Sequence, residues 1–269
     1  YFGVLAYFLT NHFEYPWFML ALTLITFISF VDDIRSTSQA LRLVFHFSAM
    51  ALMFYQWGLF SLPWWTILVA LIICTGIINA YNFMDGINGI TGGYSLIILV
   101  ALAYINREIV SFVEQELIVT VLCSVLVFNF FNFRKHAKCF AGDVGSVSIA
   151  FIVLFLIGKL IIKTEDFSWI ILLVVYGVDS VLTIIHRLML HENIGLPHRK
   201  HLYQIMANEL KVPHVVVSSV YMVIQALVIV GYFYFQAYGY WYLLSSILVL
   251  SILYVLFMYK YFDLHFSFN

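Results

Sequence analysis

An all-α fold, a polytopic bundle of membrane-crossing helices, is what this 269-residue sequence predicts, on three observations. Apolar residues make up 64% and charged residues only 10%, whereas a soluble domain that must keep a wet surface sits near roughly 45–50% and 25%. The apolar residues form about ten long continuous runs rather than short alternating segments, which argues for helices and against a β-barrel. No internal period or low-complexity linker divides the chain, so one integral-membrane domain over residues 1–269 follows.

A bilayer core about 30 Å thick takes roughly 20 residues of helix to cross, and polar interruptions punctuate the runs at that spacing. The first, 1–10, opens at Tyr1 already inside an apolar stretch with no basic segment before it; it reads as the remnant of a truncated or missing N-terminal helix, not a signal peptide. Glu14 separates it from 17–31, which Asp32-Asp33-Ile34-Arg35 ends. Then come 41–57, 63–80 up to the Asn79–Ile90 segment, and 90–105 up to Arg107-Glu108. The run 117–133 stops at Arg134-Lys135, 146–162 at Lys163, Glu165 and Asp166, and 168–185 at the long polar stretch 186–214. Two final runs, 215–236 and 240–260, complete the expected ten helices.

Strict alternation of these spans sorts the basic residues. With the loop after 17–31 taken as cytoplasmic, Arg35, Arg42, Arg134, Lys135, Lys138, Arg187, Arg199, Lys200, Lys211 and Lys260 fall inside and only Arg107, Lys159 and Lys163 outside, as the positive-inside rule requires. The acids, not used as input, sort too: Asp32, Asp33, Asp85 and Asp143 fall at cytoplasmic helix ends and Asp179 in the helix leading to the next cytoplasmic loop. Glu14, Glu108, Glu114, Glu116, Glu165 and Asp166 stay outside as solvated loop residues. A formal net charge of −1 excludes nucleic-acid binding through bulk positive charge. Cys74, Cys123 and Cys139 form no CxxC pair, which argues against structural zinc or a disulfide framework.

Four polar constellations remain at the inner helix ends. Asp32-Asp33 is a pair of hard oxygen ligands suited to Mg²⁺, which takes one or two carboxylates plus substrate phosphate; a solvated turn is the bland alternative. Asn79, Asn82 and Asp85 recur every three residues and share one arc of a helix end, while Gly86, Gly89, Gly92 and Gly93 permit a tight re-entry. Those amides need partners near hydrocarbon, either a polar ligand or each other across helices. In Phe140 to Ser146, Asp143 either caps the helix that starts there or joins its N–H groups and Arg134, Lys135 and Lys138 in a site for metal-bound phosphate. In the loop 186–214, His198 and His201 are three apart and flank Arg199 and Lys200, which favours a phosphate over a cationic metal, unless the cations serve only orientation.

Taken in order, Asp32-Asp33-Ile34-Arg35, Asn79 to Gly89, Phe140 to Ser146 and Pro197 to Gln204 resemble the motifs of the polyprenyl-phosphate N-acetylhexosamine-1-phosphate transferases, the membrane family that includes phospho-MurNAc-pentapeptide transferase. The resemblance covers residues from about 17 to about 214. It implies transfer of a sugar 1-phosphate from a UDP-amino sugar to undecaprenyl phosphate, a polyprenyl phosphate lipid, with release of UMP. The implied cofactor is Mg²⁺, with Mn²⁺ as its substitute. It further implies a multi-pass protein of the bacterial cytoplasmic membrane with its active site facing the cytoplasm, and leaves a homodimer open. By motif matching, Asp32, Asp33 and Asp143 take catalytic roles, with Asp143 and Asp33 at the metal. Asn79, Asn82, Asp85, Asn88, His198, Arg199 and His201 take the donor. Asp179 matches an acidic position whose role the resemblance does not define.

Two departures bear on the donor. Asp85-Gly86-Ile87-Asn88-Gly89 has Asn88 where the family commonly has a second aspartate, and His201-Leu202-Tyr203-Gln204 replaces the HxHH text of many UDP-GlcNAc users. The wording is closer to a branch that initiates surface polysaccharides, so the sugar is open. A phosphate monoester is mostly a dianion at neutral pH, its second pKa being about 6, so direct attack by the lipid phosphate is favoured over a double displacement through an aspartyl intermediate. Two other readings compete: a secondary transporter would place its site near the midplane and show related halves, and an intramembrane aspartyl protease would need glycine where Phe140 stands.

Overall fold

The computed structural model describes residues 1–35, 37–194, 196 and 198–261. Among them the order is α1 (Phe2–Thr10), α2 (Pro16–Ile34), α3 (Gln39–Trp57), α4 (Trp64–Met84), α5 (Ile90–Tyr104), α6 (Gln115–Asn132), α7 (Gly142–Thr164), α8 (Val174–Met189), α9 (Leu202–Asn208), α10 (His214–Tyr234) and α11 (Gly239–Tyr261), with no strand. The chain is a polytopic all-α membrane protein.

Among the described residues, eight of the expected ten spans are long and apolar enough to cross. The nine residues of α1 reach only about 14 Å, and α3, although 19 residues long, dilutes its apolar face with Arg42, His46, Ser48 and Gln56. Two details depart from the continuous helices expected. The eighth span opens with a 3₁₀ stretch, Phe167–Leu173, whose first turn Asp166 caps by accepting from the Ser168 N–H at 2.8 Å. The polar stretch 186–214 contains α9, a short helix that turns Tyr203, Ile205 and Ala207 inward.

The central helix is α7, buried almost continuously from Ser146 to Leu160 and therefore apolar on every face. Against it pack α2 and α4, with α3 on the outside of α2 and α5 seated between α6 and α10. At the periphery α11 shows Leu244, Leu248, Ile252 and Val255 outward, an apolar surface that belongs against lipid rather than water. Antiparallel packing gathers the C-terminal ends of α2, α4 and α6 with the N-terminal ends of α5, α7 and α10 at one end of the bundle. At the other end Tyr7 donates to Glu14 at 2.7 Å, Tyr15 bonds Glu114, and the Phe167 N–H meets the Tyr240 hydroxyl at 3.1 Å.

Candidate active site

The last turn of α2 meets the first turn of α7. Asp33 accepts from the backbone N–H groups of Asp143 at 3.2 Å and Val144 at 3.0 Å, so its carboxylate satisfies donors that a helix start leaves unpaired. Gly142 makes the approach possible: its φ is +62°, and a Cβ there would lie 2.9 Å from Asp33 Oδ2. Asp32 turns elsewhere, accepting from the Thr37 N–H at 2.8 Å and the Thr37 hydroxyl at 2.7 Å and pairing with Arg42 Nη1 at 3.0 Å. The adjacent carboxylates thus separate into one that anchors a helix start and one that holds a cation. Asp32, Arg42, His46 and Asp143 line a narrow recess at this junction.

One turn into α7, the Ser146 hydroxyl donates to Asn82 Oδ1 at 2.9 Å and ties the end of α4 to the same junction. Asp85 follows directly after α4. Its burial and the negative charges of Asp143 and Asp33 lift its carboxyl to about 6, against the opposing pull of the Thr91 hydroxyl. Asp33 and Asp143 are thus near enough for their charge to act on Asp85. Among the described residues no three His, Cys, Asp or Glu side chains close into a metal cage. An open group of carboxylates suits a hard cation that keeps water and substrate phosphate in its shell, and does not suit a closed zinc site.

The remaining amides divide. Asn79 lies on an exposed part of α4, apart from the Asn82 contact. Asn88 donates its side-chain amide to the carbonyls of Arg134 at 3.1 Å and Lys135 at 3.3 Å, while its own carbonyl accepts from Ser218 at 2.8 Å. It is here a brace for the basic loop after α6. Asn132, which the sequence reading did not single out, completes that brace: its Oδ1 accepts from the Gly89 N–H at 2.7 Å and its Nδ2 donates to the Cys139 carbonyl at 2.8 Å. Gly89 itself has a φ of +84°, and a Cβ would run into the Phe133 ring at 2.3 Å, so the re-entry into α5 needs glycine. A buried amide closing the end of α6 was the available signal for Asn132. Arg42 offered none, because its link to Asp32 depends on how α2 and α3 pack.

The histidine loop docks on the end of α4. Tyr203 donates to the Phe83 carbonyl at 2.8 Å and packs against Gly86, where a Cβ would clash with its hydroxyl. The rings of His198 and His201 have centroids 5.0 Å apart, and each lies 6.3 Å from Phe83. Burial, then the neighbouring His201 and Arg187, push the His198 imidazole down to about 4, so it is neutral at pH 7. Arg199 is exposed, and Pro197 lies outside the described residues. Arg187, buried, spans the loop from within: it pairs with Glu192 at 3.1 Å and donates to the carbonyls of Asn193 at 2.7 Å and Leu196 at 3.2 Å. It organises the loop. His201 is buried and bonds Asp179 through Nδ1 at 3.2 Å.

An apolar groove of about 280 Å³ runs between α1, α2, α5, α6 and α7, with Thr91, Ala141, Val144 and Gly145 at the end nearest the carboxylates.

A family model described as glycosyl transferase family 4 matches residues 15–161, which takes in the Asp32-Asp33, Asn79–Gly89 and Phe140–Ser146 segments. Over 149 residues, 54% of the chain, it is 32% identical to 41% of a Bacillus subtilis protein described as a probable undecaprenyl-phosphate N-acetylglucosaminyl 1-phosphate transferase. Over 152 residues, 50% of the chain, it is 32% identical to 45% of a Sulfolobus acidocaldarius protein provisionally named UDP-N-acetylglucosamine-dolichyl-phosphate N-acetylglucosaminephosphotransferase. A phospho-N-acetylmuramoyl-pentapeptide-transferase of Lactiplantibacillus plantarum is 32% identical over 104 residues, 37% of the chain and 31% of that protein. The chain thus spans less than half the length of these curated relatives.

Proposed function

The chain belongs to glycosyl transferase family 4, and from that premise we propose that it transfers a sugar 1-phosphate from a UDP-N-acetylhexosamine to a polyprenyl phosphate in the cytoplasmic membrane. The observation that carries the reading is the junction of α2 with α7, where Asp33 meets the backbone of Asp143 with Asp85 beside them at one end of a membrane bundle. A reaction between a lipid-borne phosphate and a water-soluble donor belongs at such an end. The basic bias of the loops there supports a cytoplasmic location, and the apolar groove beside Val144 and Gly145 gives a hydrocarbon chain a path away from the carboxylates.

In the proposed step an oxygen of the lipid phosphate forms a bond to the sugar-bearing phosphorus of the donor. The bond from that phosphorus to the oxygen bridging it to UMP breaks, and UMP leaves with the electron pair. The attacking phosphate is already largely dianionic at neutral pH, so no strong base is required. Asp33 accepts two N–H bonds and Asp32 is held by Thr37 and Arg42, which favours a positioning role for the pair over a covalent aspartyl intermediate. Asp143, with Asp33 and Asp85 near it, would hold Mg²⁺, whose charge offsets that of the diphosphate and of the departing UMP. Asn82 and Asp85 border the donor side, and His198, Arg199 and His201 approach it from the docked loop.

Asp33, Asp85 and Asp143 gather at one end rather than at the midplane, which weighs against a transporter. The test is a donor panel. Membranes carrying the full-length protein, Mg²⁺, and undecaprenyl or dolichyl phosphate are given a series of UDP-N-acetylhexosamines. UMP release is expected with one or a few donors, only with acceptor present, and to stop on chelation. Lipid product from none of them, with folded protein and acceptor present, overturns the reading and makes substrate flux the next assay.

A further inference from the structure

We propose that Asp179 is a positioning residue for the transfer: it fixes the ring of His201 by its Nδ1–H and supports the doubly protonated imidazolium, so that Nε2–H is the group that donates to the donor diphosphate. The inference rests on the transferase reading and assigns a role to a carboxylate that the reading itself leaves without one.

Asp179 sits on α8 with 3% exposure, in a helix that crosses the membrane. A carboxylate there is costly unless its lone pairs are filled. Four donors fill them: the Tyr221 hydroxyl at 2.5 Å, the Thr183 hydroxyl at 3.1 Å, the Leu202 N–H at 3.2 Å and His201 Nδ1 at 3.2 Å. Thr183 is itself 2.9 Å from the Tyr254 hydroxyl, so α8, α10, α11 and the start of α9 converge on one side chain. An ionised carboxylate only accepts, so Nδ1 of His201 carries a proton, and Nε2 needs a second one to donate to the acceptor oxygens of a diphosphate. Two aromatic rings neighbour it, Phe83 with centroids 6.3 Å apart and Tyr203 at 5.8 Å.

Capping α9 would explain the Leu202 bond alone. It explains neither the tyrosines recruited from two other helices nor the state of the opposite ring nitrogen. His201 is 1% exposed and its Nε2 is buried with no hydrogen-bond partner among the described residues. Burying a polar atom without a partner is unfavourable, and a ring held this firmly with one nitrogen unpaired is arranged for a group that arrives. The ring that carries that nitrogen lies near Phe83 in the last turn of α4, and Phe83 is two residues before Asp85 in the chain.

Two readouts test this. In detergent-solubilised full-length protein with ¹⁵N-labelled histidine and no substrate, a low-field Nδ1–H resonance, assigned by its loss in His201→Ala, is expected in the wild type and displaced in Asp179→Asn. In the transfer assay, Asp179→Asn is expected to raise the donor KM about tenfold to a hundredfold, the range for losing a partner that orients a histidine, with the acceptor KM unmoved. The double variant Asp179→Asn/His201→Ala should then be no worse than His201→Ala. Tyr221→Phe, which removes one bond and keeps the carboxylate, should move donor KM the same way by less, and it carries the comparison if Asp179→Asn does not fold. Additive losses, equal changes in both KM values, or a wild-type His201 ring without an Nδ1 proton overturn the proposal. The resonance is read without turnover, so it judges Asp179 separately from the transferase reading.

Discussion

Asp143→Asn is expected to lower turnover by about 10²- to 10³-fold, the scale for losing one group that stabilises charge at a reacting centre, while the protein still inserts and folds. Asn has nearly the same size, and the bonds that join α7 to Asp33 come from the backbone N–H groups of residues 143 and 144 rather than from the side chain. What changes is the charge: a neutral amide is a poor ligand for a hard cation. A Mg²⁺ titration separates the roles, since the variant should need far more metal for what activity remains. Near wild-type turnover with unchanged metal dependence would reduce Asp143 to an acidic residue that suits a helix start.

Gly142→Ala is expected to cut activity by about a hundredfold, the effect of displacing a catalytic group by roughly an ångström, although it adds one methyl and no charge. At φ +62° an alanine is strained, and its Cβ would come within 2.9 Å of Asp33 Oδ2. The carboxylate must leave the N–H groups of Asp143 and Val144, so the start of α7 loses its anchor and the three acids lose their spacing. Turnover with unaltered expression and a thermal midpoint lowered by only a few degrees would show this as a local effect. Wild-type activity in the variant would mean that the junction of α2 and α7 tolerates displacement.

The helices were legible because hydrocarbon imposes a length and a composition on each of them. The starts of α2 and α7 fell within a few residues of the expected ones. What composition does not encode is the coupling between distant ends. The two adjacent carboxylates at 32 and 33 look equivalent in the chain, and only the packing of α2 between α3 and α7 sends one to Arg42 and the other to the backbone at 143. Asn88 reads as a donor contact by its motif, yet its amide is spent on the carbonyls of Arg134 and Lys135. The helix α9 escaped notice because seven residues are too few for a periodic signal. Asp179 stood out as an intramembrane acid, but its partners Tyr221 and His201 lie 42 and 22 residues away.

The central claim, phosphotransfer to a lipid rather than transfer of the sugar alone, is tested most directly by the fate of the donor's sugar-bearing phosphorus. With ³²P placed on that phosphorus in the donor the panel selects, the label should enter the organic-soluble lipid fraction one for one with UMP appearing in water. Label recovered in water as UDP, or as free phosphate without labelled lipid, would contradict it.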